Sequence, residues 1–353
     1  MVQFTPEQQQ AHDLIAAAIA RRDGGIFTLH GVAGTGKTTV LGEIARNHPE
    51  AVLCALTGKA ASVLARKTGA EACTIHSVFY QLIGKSKDEK GRRKLHWRTS
   101  VKDDALARDV VLIDECSMVD DRTADDILRT GATIIACGDP GQLPPVRGKQ
   151  YFSRPDFLLT EIHRQARESA ILRQAHAVRS DGHYQEDGPD FRVAQRGTSE
   201  DIMDADAILC WTNKTRDAAN QRARNIRGLW MPSPQRAEPV VCLKNNKDFG
   251  IFNGAVYALD EPFIDGDTII HLSIDGRRVT VPQTVFRGVP SSLDPEDDAE
   301  GYFDFGYAMT VHKAQGSEWD SVVLIDEYHK ADQRRQWLYT GITRAAKRIL
   351  VLG

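Results

Sequence analysis

Two α/β lobes in tandem, each a parallel sheet covered by helices, with a small β barrel set into the second, is the fold class this sequence predicts. Three observations point there. The chain has 353 residues, room for two domains of ordinary size. Two separate groups of short apolar runs alternate with helical segments, as parallel strands buried on both faces do. A stretch rich in β-branched residues and turn dipeptides then breaks the second group.

Residues 6–20 read as an amphipathic helix, with Thr5 placed to cap it and Pro6 at the first helical position, where a missing N–H costs nothing. Apolar runs at 26–30, 51–56, 110–113 and 133–137 give the first sheet, and those at 207–211, 308–311, 322–325 and 349–352 the second. Residues 85–102 carry eight basic and two acidic side chains around Trp97, which reads as an exposed insertion. From 237 to 288 the turn signals Asn253-Gly254, Asp265-Gly266-Asp267 and Asp275-Gly276 predict hairpins of an inserted barrel. Residues 291–304 hold six acidic side chains and no basic one, so a solvated loop is expected. No repeat with a period of about 20–50 residues is present.

Composition narrows the function classes. Hydrophobic residues make up 41% and charged residues 26%, so the chain can bury a core, and fibrous or disordered classes drop out. Lys and Arg total 45 against 48 Asp and Glu, a net charge of −3; any nucleic-acid contact must come from local patches. The cysteines at 54, 73, 116, 137, 210 and 242 form no close zinc-type or redox-type pair. Most sit in apolar runs, which points to buried thiols and a reducing compartment. With no leader-like start and no run of eighteen apolar residues, the expectation is a soluble, intracellular, cytoplasmic protein without a membrane partner, of bacterial or phage type.

The chemistry begins at Gly31-Val32-Ala33-Gly34-Thr35-Gly36-Lys37-Thr38, which follows a strand and opens a helix. Glycines in such a loop let backbone N–H groups close around a phosphate chain, a lysine reaches the β and γ phosphates, and the threonine hydroxyl can hold Mg²⁺. Gly34, Thr35, Gly36, Lys37, Thr38 and Thr39 are the candidate phosphate-binding set. Val110-Val111-Leu112-Ile113-Asp114-Glu115 is an apolar strand ending in two carboxylates. Asp114 suits the metal, and Glu115 suits the attacking water. Taken alone, that pair also fits the capping of a following helix. Gln142, after a tight turn that ends a third strand, is placed to sense a γ phosphate; alone it reads equally as a plain loop residue.

Together these residues resemble superfamily 1 helicases, specifically the RecD-like and Dda-like branch called superfamily 1B. Phe4-Thr5-Pro6-Glu7-Gln8 is similar to the family's Q motif, Leu56-Thr57-Gly58-Lys59-Ala60-Ala61 to motif Ia, and Thr74-Ile75-His76-Ser77 to motif Ib. Gly138-Asp139-Pro140-Gly141-Gln142-Leu143-Pro144-Pro145-Val146 matches motif III, and Leu159-Thr160-Glu161-Ile162-His163-Arg164-Gln165 resembles motif IV. Thr310-Val311-His312-Lys313-Ala314-Gln315-Gly316-Ser317-Glu318-Trp319-Asp320 is similar to motif V, and Tyr339-Thr340-Gly341-Ile342-Thr343-Arg344-Ala345 to motif VI.

The resemblance implies two RecA-like lobes. Lobe 1A would span 1–158 with a pin-like insertion at about 84–104; lobe 2A would span 159–236 and 301–353; an SH3-like barrel would fill 237–300. It implies ATP and Mg²⁺ as cofactors, with Lys37, Glu115, Gln142, Arg164 and Arg344 catalytic and Thr38 and Asp114 on the metal. Gln8, His163, Gly316 and Glu318 would join the phosphate loop in holding nucleotide; His163 stands where many relatives have Tyr. Thr57, Lys59, His76, Ser77, Trp97, Thr212, Asn213, Thr310, His312 and Lys313 would contact DNA. The implied activity is that of a monomeric helicase translocating 5′ to 3′ on single-stranded DNA and opening forked duplex, with a single-strand-binding protein as a further partner. A second reading is an ATP-gated nucleic-acid clamp, or a translocase that displaces proteins without unwinding.

Overall fold

The computed structural model describes residues 3–87, 93–99, 109–145, 148–162, 168–231, 233–243, 251, 253–261, 269–274, 277–282, 285–286 and 302–353. The chain divides into two compact units, Met1–Ala166 and Arg167–Gly353. The expected lobe boundary at 158/159 falls inside a strand of the first unit, Phe157–Leu159.

In the first unit the order is α1 (Pro6–Arg21), β1 (Ile26–Gly31), α2 (Lys37–Asn47), β2 (Val52–Ala55), α3 (Gly58–Thr68), β3 (Ala72–Thr74), α4 (Ile75–Phe79), β4 (Tyr80–Lys87), β5 (Arg93–Thr99), β6 (Val110–Asp114), a 3-10 turn Cys116–Met118, α5 (Asp121–Leu128), β7 (Thr133–Gly138) and β8 (Phe157–Leu159). Six strands form one sheet in the order β3-β2-β6-β7-β1-β8, parallel throughout. Its strands are largely apolar, yet successive residues serve opposite faces. Leu53, Val110, Leu112 and Ile135 pack into one core with Ile15, Leu41, Ile44 and Leu64 from the helices. Val52, Val111, Ile113 and Ile134 pack into the other with Ile75, Phe79 and Ile127. Thr5 caps α1 reciprocally with Gln8, Pro6 opens the helix, and Ala11, Ile15, Ala18 and Ile19 make its buried stripe. Among the described residues β4 and β5 pair with each other alone, antiparallel, with Trp97 opposite Leu82.

The second unit runs α6 (Ala170–Asp181), β9 (Phe191–Ala194), α7 (Ser199–Met203), β10 (Ala207–Cys210), α8 (Asn213–Ile226), β11 (Pro239–Cys242), β12 (Val256–Leu259), β13 (Ile269–Ile274), β14 (Arg277–Pro282), β15 (Val285–Phe286), β16 (Tyr302–Phe305), β17 (Ala308–Thr310), α9 (Val311–Ala314), β18 (Trp319–Ile325), α10 (Arg334–Ile342) and β19 (Ala345–Leu352). A second parallel sheet has the order β17-β10-β18-β19-β9. β11 to β16 form a separate sheet, mostly antiparallel, in the order β14-β13-β12-β11-β16-β15. Its own core holds Val240, Cys242, Ile251, Leu259, Leu272 and Phe303.

The sequence reading misses β3, β8 and β9, all short edge strands. The acidic stretch also needs a correction at its end. Asp304 lies in β16 rather than in a solvated loop; it is buried and faces the Arg216 guanidinium at 3.3 Å, which compensates a carboxylate that burial would otherwise disfavour. Residues 291–301, most of that stretch, lie outside the described residues. All six cysteines are free thiols.

Candidate functional site

β1 delivers the chain to the phosphate loop between its parallel neighbours, with His30 opposite Gly138 on β7 and Gly31 opposite Leu159 on β8. A Cβ on Gly31 would stand 2.5 Å from Thr35 Oγ1, so only glycine fits where the loop folds back. Gly34 and Gly36 take φ of 86° and 81°, left-handed values that side chains resist. Gly36 then opens α2 without a side-chain cap, the arrangement that suits an anion at a helix N-terminus. Thr35 is buried and donates its hydroxyl to Val32 O at 2.9 Å. Lys37 lays its ammonium across the loop, donating to Gly31 O at 2.7 Å and Val32 O at 3.1 Å. Thr39 points outward and is exposed.

The carboxylate strand reaches the same point. Thr38 donates its hydroxyl to Asp114 Oδ2 at 3.2 Å, and Asp114 Oδ1 accepts the Glu115 N–H at 2.9 Å. Burial raises the Asp114 carboxyl above its ordinary range, against the pull of the Glu115 N–H, Lys37 and Thr38. Glu115 stands half-buried at φ 55°, turning the chain sharply into the 3-10 segment.

Gln142 is also in this unit, buried, with its N–H on Asp139 O at 3.2 Å and its Oε1 without a partner. Ser117 ties the two loops together: its hydroxyl donates to Asp139 O at 2.9 Å and accepts the Asp139 N–H at 3.1 Å. Sequence reasoning missed Ser117, which has no motif of its own. It also missed His30, fully buried, whose Nε2 lies 3.0 Å from Phe152 O. A carbonyl only accepts, so that nitrogen carries the proton.

Gln8 is 2% exposed, and its amide joins the start of α1 to the phosphate loop: Oε1 accepts the Thr5 N–H at 3.1 Å, and Nε2 donates to Thr35 O at 3.0 Å. Glu7 accepts the N–H groups of Thr160 and Glu161 at 2.9 and 2.8 Å, fixing the chain as it leaves β8. His163 and Arg164, just beyond, lie outside the described residues.

In the second unit Arg344 is 6% exposed. Its Nε donates to Thr340 O, Nη1 to Ser317 O and Nη2 to Thr343 Oγ1, at 3.1, 3.2 and 3.1 Å, so it links two of the quoted motifs. Gly316 adopts φ 74° and Glu318 is exposed.

The candidate DNA contacts fall on strand exits. Thr57 caps α3 after β2, and Thr74 caps α4, which carries exposed His76 and half-buried Ser77, after the adjacent β3. Lys59 sits half-buried in the first turn of α3. The second unit repeats the device: Thr212 caps α8, with Asn213 its first residue, and Thr310 caps α9, with half-buried His312 and exposed Lys313, after the paired strands β10 and β17. Burial pushes the His312 imidazole below its usual range. Each unit thus sets its candidates on the carboxyl edge of a parallel sheet, where ligands of such sheets bind. Trp97 lies on the β4–β5 pair of the first unit.

A parallel sheet, a glycine-rich phosphate loop and a carboxylate strand beside it define a P-loop NTPase with a RecA-like core. A family model described as AAA domain matches residues 3–188, and one described as UvrD-like helicase C-terminal domain matches 305–352. The chain is 29% identical over 364 residues to the ATP-dependent RecD2 DNA helicase of Deinococcus radiodurans, covering 93% of this chain and 47% of that protein. It is 30% identical over 184 residues to the ATP-dependent DNA helicase dda of Enterobacteria phage T4, covering 48% of this chain and 40% of that one. It thus spans about half or less of the length of these two relatives. Among solved structures it resembles Pif1 helicases at forked double-stranded DNA, with a TM-score of 0.68 at 19% identity, over 100% of this chain and 92% of that one. It also resembles Bacteroides Pif1 in complex with ADP-AlF3 and single-stranded DNA, with a TM-score of 0.65 at 19% identity, over 99% and 92% of the two chains. The chain belongs to the AAA-domain family, and within it is similar to superfamily 1B helicases of the RecD-like branch.

No helix among the described residues is long and apolar enough to cross a membrane.

Proposed function

We propose that this chain hydrolyses ATP to move 5′ to 3′ along single-stranded DNA, and that it opens forked duplex as it goes. The observation that carries the reading is the 3.2 Å bond from Thr38 to Asp114, which brings the phosphate loop and the carboxylate strand to one point. A hydroxyl and a carboxylate, both hard oxygen donors, fit Mg²⁺. When bound there, the ion neutralises charge building on the phosphates.

The chain's own residues do the rest. Lys37 exchanges the carbonyls of Gly31 and Val32 for phosphate oxygens. Glu115 orients the attacking water and takes its proton, while Gln142, its Oε1 unpartnered, registers the γ phosphate. Arg344 brings its guanidinium to the transferring group when the two lobes close, and Arg164 acts with it. Gln8 and His163 hold the base, with Glu318 and Gly316 against the sugar. Thr57, Lys59, His76 and Ser77 on one sheet edge, and Thr212, Asn213, Thr310, His312 and Lys313 on the other, grip the strand. Closure and release then carry the grip forward.

The β4–β5 pair is the pin that splits the fork, and β11–β16 form the SH3-like barrel that braces the strand. The likeness to Pif1 structures holding single-stranded and forked DNA supports the choice of partner. The protein works as a monomer, alongside a single-strand-binding protein. Steady-state ATP hydrolysis with and without a single-stranded oligonucleotide tests the coupling. The rate rises with added strand on this account; a rate indifferent to it overturns the reading.

A further inference from the structure

The second sheet carries an aromatic platform that none of the motifs predicts. β10 and β18 are parallel neighbours, Leu209 opposite Leu324, so their exits lie side by side. Trp211 follows the first strand, and Glu327, Tyr328, His329 and Lys330 follow the second. Trp337 and Tyr328, both buried, stack at 5.3 Å and 22°; Trp211 leans on Tyr328 at 4.6 Å. The series ends at the surface, with exposed His329 edge-on to Trp211 at 4.7 Å and the exposed Lys330 ammonium 5.7 Å from the indole centroid. Glu327 pins the corner, accepting the N–H groups of Trp211 and Thr212 at 2.8 and 3.1 Å and the Thr215 hydroxyl at 2.5 Å.

Here a half-buried indole, held by its ring contacts and flanked by the His329 imidazole and the Lys330 ammonium, sits next in sequence to the Thr212 and Asn213 already assigned to the strand. We infer that Trp211 is a stacking surface for a base of single-stranded DNA, with Lys330 turning from the indole to the neighbouring phosphate. This rests on the proposed function and adds a base contact to its second lobe. Stacking is indifferent to sequence because every base has a π face, which suits a protein that must pass over any sequence.

Full-chain protein is titrated with a dT oligonucleotide and with an oligomer of the same length made of abasic sites, following anisotropy of a labelled end and tryptophan emission. Wild type binds dT about tenfold more tightly than the abasic strand, and only dT quenches its emission. Trp211→Ala loses that discrimination while keeping its abasic affinity. Trp211→Phe, which preserves the packing, keeps the discrimination but loses the quenching. Lys330→Ala flattens the salt dependence of binding by roughly 0.7 in log-log slope, one phosphate contact. Wild-type discrimination retained in a folded Trp211→Ala, or quenching retained in Trp211→Phe, overturns the platform and leaves the proposed function standing. Failure of wild type to bind either strand overturns both.

Discussion

Thr38 and Asp114 stand 76 positions apart in sequence and meet through a hydroxyl-to-carboxylate hydrogen bond of 3.2 Å. Asp114 is held there although burial raises its carboxyl, so the ionised form is disfavoured by its surroundings until positive charge arrives. Replacing it by neutral Asn removes that cost. Asp114→Asn is expected to raise the melting temperature of the nucleotide-free protein at pH 7.5 while lowering kcat about 10²- to 10³-fold. Calorimetry and steady-state ATPase assays read the two effects, and a variant that loses both stability and activity contradicts the assignment.

Lys37 makes its two bonds to loop carbonyls of its own segment. Lys37→Ala should therefore leave the fold and strand binding largely intact while hydrolysis disappears into background, a loss of at least about 10²-fold. Retained turnover refutes the site.

Arg344 is fixed by three hydrogen bonds within its own unit. A lysine keeps the charge but not the planar fork that makes those bonds. Arg344→Lys is expected to cut strand-stimulated kcat by about 10³-fold with little change in the KM for ATP. A KM effect without a kcat effect would place the residue in ground-state binding instead.

The base of the inserted sheet is locked by a buried ion pair. Arg224 Nε meets Glu238 Oε1 at 2.8 Å, both nearly without exposure, while the guanidinium lies 4.1 Å over the Phe305 ring and Tyr307 donates to Glu238 at 3.2 Å. Removing one partner strands the other in a dry site. Glu238→Ala is expected to cost about 3–5 kcal/mol in denaturant unfolding. An Arg224→Met/Glu238→Leu double variant should recover most of that loss, and a double variant as unstable as the single rejects the desolvation argument.

Much of this was legible in sequence for a simple reason: residues that bind phosphate must be contiguous, and strands buried on both faces must be apolar throughout. The phosphate loop, Asp114-Glu115 and the central strands satisfy those demands in single short segments. β3, β8 and β9 do not; as edge strands of three or four residues they leave part of their surface open and lack the pattern. Ser117 and the Trp211 corner were hidden for a different reason. Each exists only where distant segments meet, Trp211 and Glu327 being 116 positions apart.

His30 supplies a pH dependence. It is fully buried, and burial pushes its imidazole below the usual 6.5. The unfolded chain therefore binds a proton at a pH where the folded chain does not. The stability that neutral His30 contributes is complete above about pH 6.5 and is lost as pH falls through the lower folded value. His30→Gln should flatten the decline in melting temperature between pH 7.5 and 5.5. An unchanged slope assigns the decline to other groups.

As the proposed wedge, the β4–β5 pair should bear on unwinding alone. With Trp97 on it and the ATP-site residues elsewhere, Trp97→Ala should depress duplex opening by several-fold more than it depresses strand-stimulated hydrolysis. Equal losses count against a wedge.

Strand displacement on forked duplexes carrying either a 5′ or a 3′ single-stranded tail, with and without ATP, tests the central claim most directly. The account predicts product only from the 5′-tailed substrate and only with ATP. Displacement without ATP, or displacement favoured by the 3′ tail, contradicts it.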